Sequence, residues 1–192
     1  MTDYFALLNQ PQQPWLDEQS LTSAYHAKAL LIHPDTTARA NDSHAFATLN
    51  EAYQTLQDPK RRLHHLLSLH GHAPEAARQT IPGELADLFS TMISLIQKTD
   101  AVLESARSAT NALTRSLQKP VLLEIDLQIA AQLLRLSKLY DGTIEELKAR
   151  NSAWIADAGQ EIDRLTQLYF RFAYLGRWIS QVEERRVELS LC

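Results

Sequence analysis

Pro34 constrains this chain more than any other residue, because it stands between His33 and Asp35 at the end of an apolar helical pattern. Proline lacks a backbone N–H and pushes the preceding residue out of the α region, so a helix arriving at His33 must stop and the chain must turn. The other end of that helix is marked by Asp17, a good N-cap residue, with Glu18 in the first turn and Leu16 and Leu21 placed as a hydrophobic staple. From Thr36 to Ser43 the sequence is polar and aperiodic. Phe46, Leu49, Tyr53 and Leu56 then recur at helical spacing. The pattern predicts two antiparallel helices with a stiff His33-Pro34-Asp35 corner at their tip.

Short helices flank this hairpin. Asp58 and Pro59 combine an N-cap with a proline tolerated at the first helical position, and they open a helix carrying Leu63, Leu66, Leu67 and Leu69 that stops at Gly71. Ahead of the hairpin, Asp3 to Leu8 gives a short helix whose Phe5 and Leu8 can cover it. The result is a four-helix unit over residues 1–71.

That order, with Tyr25 and Leu21 before the corner and Phe46, Leu49, Ala52, Tyr53 and Leu56 after it, resembles the J-domain. In that family the His-Pro-Asp loop stimulates ATP hydrolysis by a DnaK-type chaperone. The resemblance implies a chaperone-binding set of His33, Pro34, Asp35, Tyr25, His26, Lys28 and Arg62. A narrower likeness lies in Asp3-Tyr4-Phe5 and in Leu66-Leu67-Ser68-Leu69-His70-Gly71, which are similar to the HscB family of J-proteins dedicated to iron–sulfur cluster assembly. It implies a DnaK/HscA-type partner and an iron–sulfur scaffold as client. The usual basic row before the corner is poor: only His26 and Lys28 follow Tyr25, with Ala27 and Leu31 at positions often basic and Thr36 replacing a common Lys. Residues 1–71 carry 5 Lys or Arg against 7 Asp or Glu, so charge steering toward an acidic partner patch is expected to be weak.

Residues 72–83 read as a linker between Pro74 and Pro82, and a second domain is expected over 84–192. Only Pro120 interrupts it, so long helices are expected. The first helix places Leu85, Leu88, Phe89, Met92, Ile96, Leu103 and Leu113 on one stripe. The second begins at Pro120, carries Ile125, Ile129, Leu133, Leu136 and Tyr140, and is expected to end at Gly142, where Thr143 and Glu146 form a capping-box pattern for a fresh helix. A last helix carries Ile162, Leu165, Tyr169, Phe172, Ile179 and Val182. The fold class is therefore all-α: a J-domain followed by a long three-helix bundle serving client binding or oligomerisation. Leu85, Leu88, Phe89 and Met92 are the candidate client-binding residues, provided part of that stripe is exposed.

Other chemistry finds little support. His64, His65, His70 and His72 cluster without a completing carboxylate or cysteine at helix-face spacing, and are read as surface or capping side chains rather than a metal site. Lys60-Arg61-Arg62 is a small basic footprint in a chain of net charge −4, which argues against a nucleic-acid partner. Phe170, Phe172, Tyr174 and Trp178 are read as bundle core. There is no phosphate loop, no nucleophile elbow and no thiol beside a histidine, so no enzyme activity and no cofactor are expected. With no long apolar run, no membrane span and no secretory signal, the chain is expected to be cytoplasmic. Three functions stay open: an HscB-like co-chaperone, a J-type co-chaperone whose bundle adapts another client, and an unrelated helical structural protein.

Overall fold

The computed structural model describes residues 2–32, 41–74 and 83–192. The helices are α1 (Tyr4–Leu7), α2 (Glu18–Ile32), α3 (Asn41–Gln57), α4 (Pro59–Leu69), α5 (Ala86–Ser108), α6 (Ala112–Ala149), α7 (Asn151–Ala156) and α8 (Ala158–Ser190), with a 3₁₀ turn at Gly83–Leu85. No strand occurs among the described residues. No described helix is long and apolar enough to cross a membrane.

Contacts divide the chain into two compact units. One comprises residues 1–79 with 144–169, the other residues 80–143 with 170–192, so α6 and α8 contribute to both.

In the first unit the caps lie where local chemistry puts them. Asp3, Asp17 and Asp58 accept hydrogen bonds from the N–H groups of Ala6, Ser20 and Arg61 at 3.1, 2.8 and 2.7 Å. α3 starts at Asn41, inside the stretch that lacks apolar periodicity. α4 ends in a Schellman arrangement, with His72 N–H donating to the Leu67 carbonyl at 2.9 Å and Gly71 N–H to Ser68 at 3.1 Å. Gly71 sits at φ +80°, a conformation that a Cβ disfavours. Phe5, Leu8, Leu49, Ala52, Leu56, Leu63, Leu66 and Leu67 are fully buried between these helices.

The 144–169 segment completes this unit. Asn151 Oδ1 accepts from Trp15 N–H at 3.1 Å while its Nδ2 donates to Gln13 Oε1 at 3.1 Å, and Trp154 Nε1–H donates to the Gln12 carbonyl at 2.8 Å. Lys148 lies 4.7 Å over the Trp15 ring, and His70 meets Trp154 edge-on at 4.9 Å. These bonds satisfy backbone groups of the loop between α1 and α2 that no helix could pair.

The second unit is built from α5, the first part of α6 and the last part of α8 around Leu88, Met92, Leu103, Ile125, Ile129, Leu136, Leu175, Trp178 and Val182. Phe172 and Trp178 are buried, as expected of core aromatics. Three details differ from the sequence reading. α5 stops at Ser108, so Leu113 belongs to α6, where it is 71% exposed. α6 starts at Ala112, with Asn111 Oδ1 accepting from Thr114 N–H at 2.8 Å, and carries Pro120 inside. It then runs straight through Gly142, because Thr143 turns its hydroxyl to the Leu139 carbonyl at 2.7 Å instead of capping a new helix.

Candidate functional site

The site expected from sequence is the tip of the α2/α3 hairpin. His33, Pro34 and Asp35 lie outside the described residues, so what can be built is the scaffold that carries them. α2 and α3 are zipped by polar and aromatic contacts. Tyr25 OH donates to Asn50 Oδ1 at 2.6 Å and its ring stacks on Tyr53 at 4.4 Å. The Tyr53 and Thr22 hydroxyls lie 3.2 Å apart. Leu21 fills the space beneath, with Leu49 and Ala52. A stacked and hydrogen-bonded tyrosine pair fixes register along the hairpin as well as adding apolar contact.

The other expected docking residues separate. His26 is exposed on α2. Lys28 is engaged at the end of α1, donating to the Leu7 carbonyl and to Asn9 Oδ1 at 3.2 Å, where Asn9 sits at φ 51°. Arg62 is a correction: it is 3% exposed, and its guanidinium donates from Nε to the Pro14 carbonyl at 2.8 Å and from Nη1 to the Leu56 carbonyl at 2.7 Å, lying 5.3 Å over Trp15. Leu56 is about 22 Å along α3 from the end nearest the corner. Arg62 therefore ties the base of the hairpin and presents nothing to a partner at its tip.

Two leucines, one of them not selected from the sequence, dominate the exposed side of α2. Leu30 is 73% exposed and Leu31 78%. With Ser23, His26 and Ala27 also exposed, the described face leading to the corner carries two leucines and no lysine or arginine where a basic row was sought. The signal was legible in Ala27 and Leu31 replacing basic residues, but the second leucine emerges only from the helix phase.

The histidine cluster also resolves differently. His65 is buried, stacks on Tyr4 at 4.5 Å, and accepts a hydrogen bond at Nε2 from Tyr4 N–H at 3.1 Å, one of the orphan donors at the start of α1. Burial, reinforced by His64, holds its imidazole below the ordinary value of 6.5, against the raising effect of Asp3. It is neither a surface nor a capping side chain of its own helix. The neighbouring Tyr4 phenol is pushed up by burial and then by Glu51.

The client stripe is corrected as well. Leu85, Leu88 and Met92 are at most 3% exposed within the core of the second unit, and Phe89 is half-buried with its ring 6.3 Å from Trp178. They cohere into the bundle because α5 has one apolar stripe and its core requires it. Of the nearby acids, Glu84 is paired with Arg171.

Comparison with known proteins agrees with this geometry. The DnaJ domain model matches residues 3–65, the segment holding α1 to α3, the corner and the first part of α4. A co-chaperone protein HscB homolog of Cupriavidus taiwanensis is 35% identical over 123 residues, covering 61% of this chain and 69% of that protein. The chain belongs to the HscB co-chaperone family. HscB homologs of Paraburkholderia phymatum and Vibrio cholerae are 43% and 40% identical over 74 and 85 residues, and the chain spans about half the length of each, 42% and 50%. Among solved structures, the chaperone HscB from Vibrio cholerae aligns over 98% of this chain and 99% of its own, with a TM-score of 0.59 at 22% identity. Human co-chaperone protein HscB aligns over 97% of this chain and 83% of its own, with a TM-score of 0.54 at 18% identity. At those identities the likeness concerns fold. HscB-family membership accounts for the J-domain hairpin.

Proposed function

We propose that this chain is a J-domain co-chaperone that stimulates the ATPase of a DnaK/HscA-type chaperone and delivers a client to it in iron–sulfur cluster assembly, in the cytoplasm. The observation that carries the reading is the α2/α3 hairpin, with His33-Pro34-Asp35 between its helices inside the segment matched by the DnaJ domain model. In this reading Pro34 supplies a rigid turn, Asp35 a charged contact and His33 positioning, and all bond-breaking chemistry belongs to the partner. Docking along α2 rests on His26, Leu30 and Leu31 flanked by Tyr25, so apolar burial replaces much of the charge pairing of a basic row. His33→Gln or Asp35→Asn is expected to abolish stimulation of the partner ATPase while far-UV circular dichroism stays unchanged. Wild-type stimulation by either variant removes the co-chaperone reading.

An iron–sulfur scaffold is the client that family membership favours. Contact through α5 is limited to what the core leaves free, the outer part of Phe89 with Ile93, bordered by Ser90, Thr91 and Ser94. That surface supports weak scaffold binding, which titration calorimetry of wild type and Phe89→Ala tests. Burial of Leu85, Leu88 and Met92 favours a second reading, a co-chaperone whose bundle adapts a different client. Absence of any scaffold binding by wild type, with ATPase stimulation retained, selects it.

A further inference from the structure

The first unit holds a cavity that the co-chaperone reading does not use. It measures about 350 Å³, within the range of small-ligand sites, and is walled by α1, α3, α4 and Tyr169 of the same unit. α3 supplies Glu51 and Thr55, four residues apart on one side of the helix, and α4 supplies Lys60, Arg61, His64 and His65. Two of these side chains are buried and keep hydrogen-bonding capacity to spare. Thr55 is 7% exposed, and its hydroxyl pairs with nothing among the described residues. His65 is 4% exposed; its Nε2 accepts from Tyr4 N–H, so the ring hydrogen sits on Nδ1, which meets no acceptor among the described residues. Buried polar groups are ordinarily paired, and two left open on one cavity wall make a place for a ligand's acceptor atoms.

Charge on the wall points the same way. Lys60 and Arg61 are exposed in the first turn of α4, where the helix dipole adds positive potential, and neither forms an ion pair among the described residues. The lining carboxylate, Glu51, accepts from the Tyr4 phenol. We propose that this cavity binds a small organic phosphate, its oxygens taken by Lys60, Arg61, the Thr55 hydroxyl and His65 Nδ1–H, with the organic part against the rings of Tyr4 and Tyr169. Phosphate fits better than carboxylate because the donors come from two helices, and three terminal oxygens accept from more directions than a planar pair. An organic part is required because a bare ion leaves the aromatic wall unused, where Tyr4 stacks on His65 at 4.5 Å and Tyr169 meets His64 at 5.9 Å.

The inference is independent of the co-chaperone reading, and its test uses the full chain with phenyl phosphate as the probe. In a heteronuclear NMR titration the amides of Thr55, Lys60, Arg61, His64 and His65 are expected to shift saturably, with a dissociation constant of about 1 mM or below. Inorganic phosphate is expected to bind about tenfold more weakly, and phenol to shift none of these amides. Lys60→Gln with Arg61→Gln alters exposed positions only and is expected to raise the dissociation constant about tenfold or more. Thr55→Val removes the hydroxyl at nearly constant shape and is expected to weaken binding about fivefold at unchanged far-UV circular dichroism, with Thr55→Ser restoring it. Absence of saturable shifts in the wild type up to about 10 mM probe overturns the inference, as do shifts confined to residues away from the cavity. Inorganic phosphate bound as tightly as phenyl phosphate, or binding indifferent to the paired glutamines, overturns it too.

Discussion

Replacing Arg62 with methionine separates a structural arginine from a docking one. The side chain is 3% exposed, and its hydrogen bonds to the Pro14 and Leu56 carbonyls are 2.8 and 2.7 Å long. Methionine keeps much of the aliphatic stem but strands both carbonyls, at about 1.5–3 kcal/mol for each hydrogen bond to a charged group. Loss of the guanidinium from the Trp15 face removes about 1 kcal/mol more. Part of this is offset, since a charge no longer has to be desolvated, leaving a net loss of about 3 kcal/mol. With a urea slope of about 2 kcal/mol/M, the midpoint falls by about 1.5 M. Two of the three tryptophans, Trp15 and Trp154, lie in the first unit, so fluorescence-detected urea unfolding reads the relevant transition. Arg62→Lys is expected to recover only part of the loss, because an ammonium lacks the planar fork that reaches two carbonyls at once. A stability within about 0.5 kcal/mol of wild type, accompanied by lost ATPase stimulation, would falsify the structural assignment and restore Arg62 to the docking surface.

Acid should weaken the first unit through His65. Its folded imidazole titrates below 6.5, so the unfolded chain takes up the proton first, and stability present above that pH is lost as the pH falls toward the folded value. Urea midpoints at neutral and mildly acidic pH check this, and His65→Phe should flatten the difference while lowering the neutral-pH midpoint, since Tyr4 N–H loses its acceptor. Chaperone affinity should fall only shallowly with salt, and Ala27→Arg with Leu31→Lys should strengthen binding to an ordinary DnaK and steepen that dependence, as surface plasmon resonance across a salt series will read. A steep loss for wild type would reveal a basic surface that the described residues do not contain. Gly142→Ala should raise stability by about 0.4–1 kcal/mol, because the residue lies mid-helix with nothing within 4 Å of an added Cβ; a loss of stability would mean that the helix breaks there.

Much of the first unit was legible along the chain because its determinants are local. Asp17, Asp58 and Gly71 set helix ends through bonds to residues within five positions of themselves. Pro34 forbids helix continuation by its own covalent geometry. The all-α class and the J-domain order follow from such signals, and the family match agrees with them. Where local chemistry opposed tertiary packing, packing won. Gly142 and Pro120 disfavour helix interiors by roughly 1 and 3 kcal/mol, yet α6 runs through both, with Ile125, Ile129 and Leu136 buried between them. What each candidate residue does was decided only by the tertiary structure. A sequence names Arg62 as a cation and His65 as an imidazole. That both are buried depends on a carbonyl 48 residues away and on an N–H 61 residues away. The same holds for the leucines: residue type gives Leu88 and Leu127 equal apolar weight, and the helices packed around α5 and α6 leave one buried and the other 62% exposed.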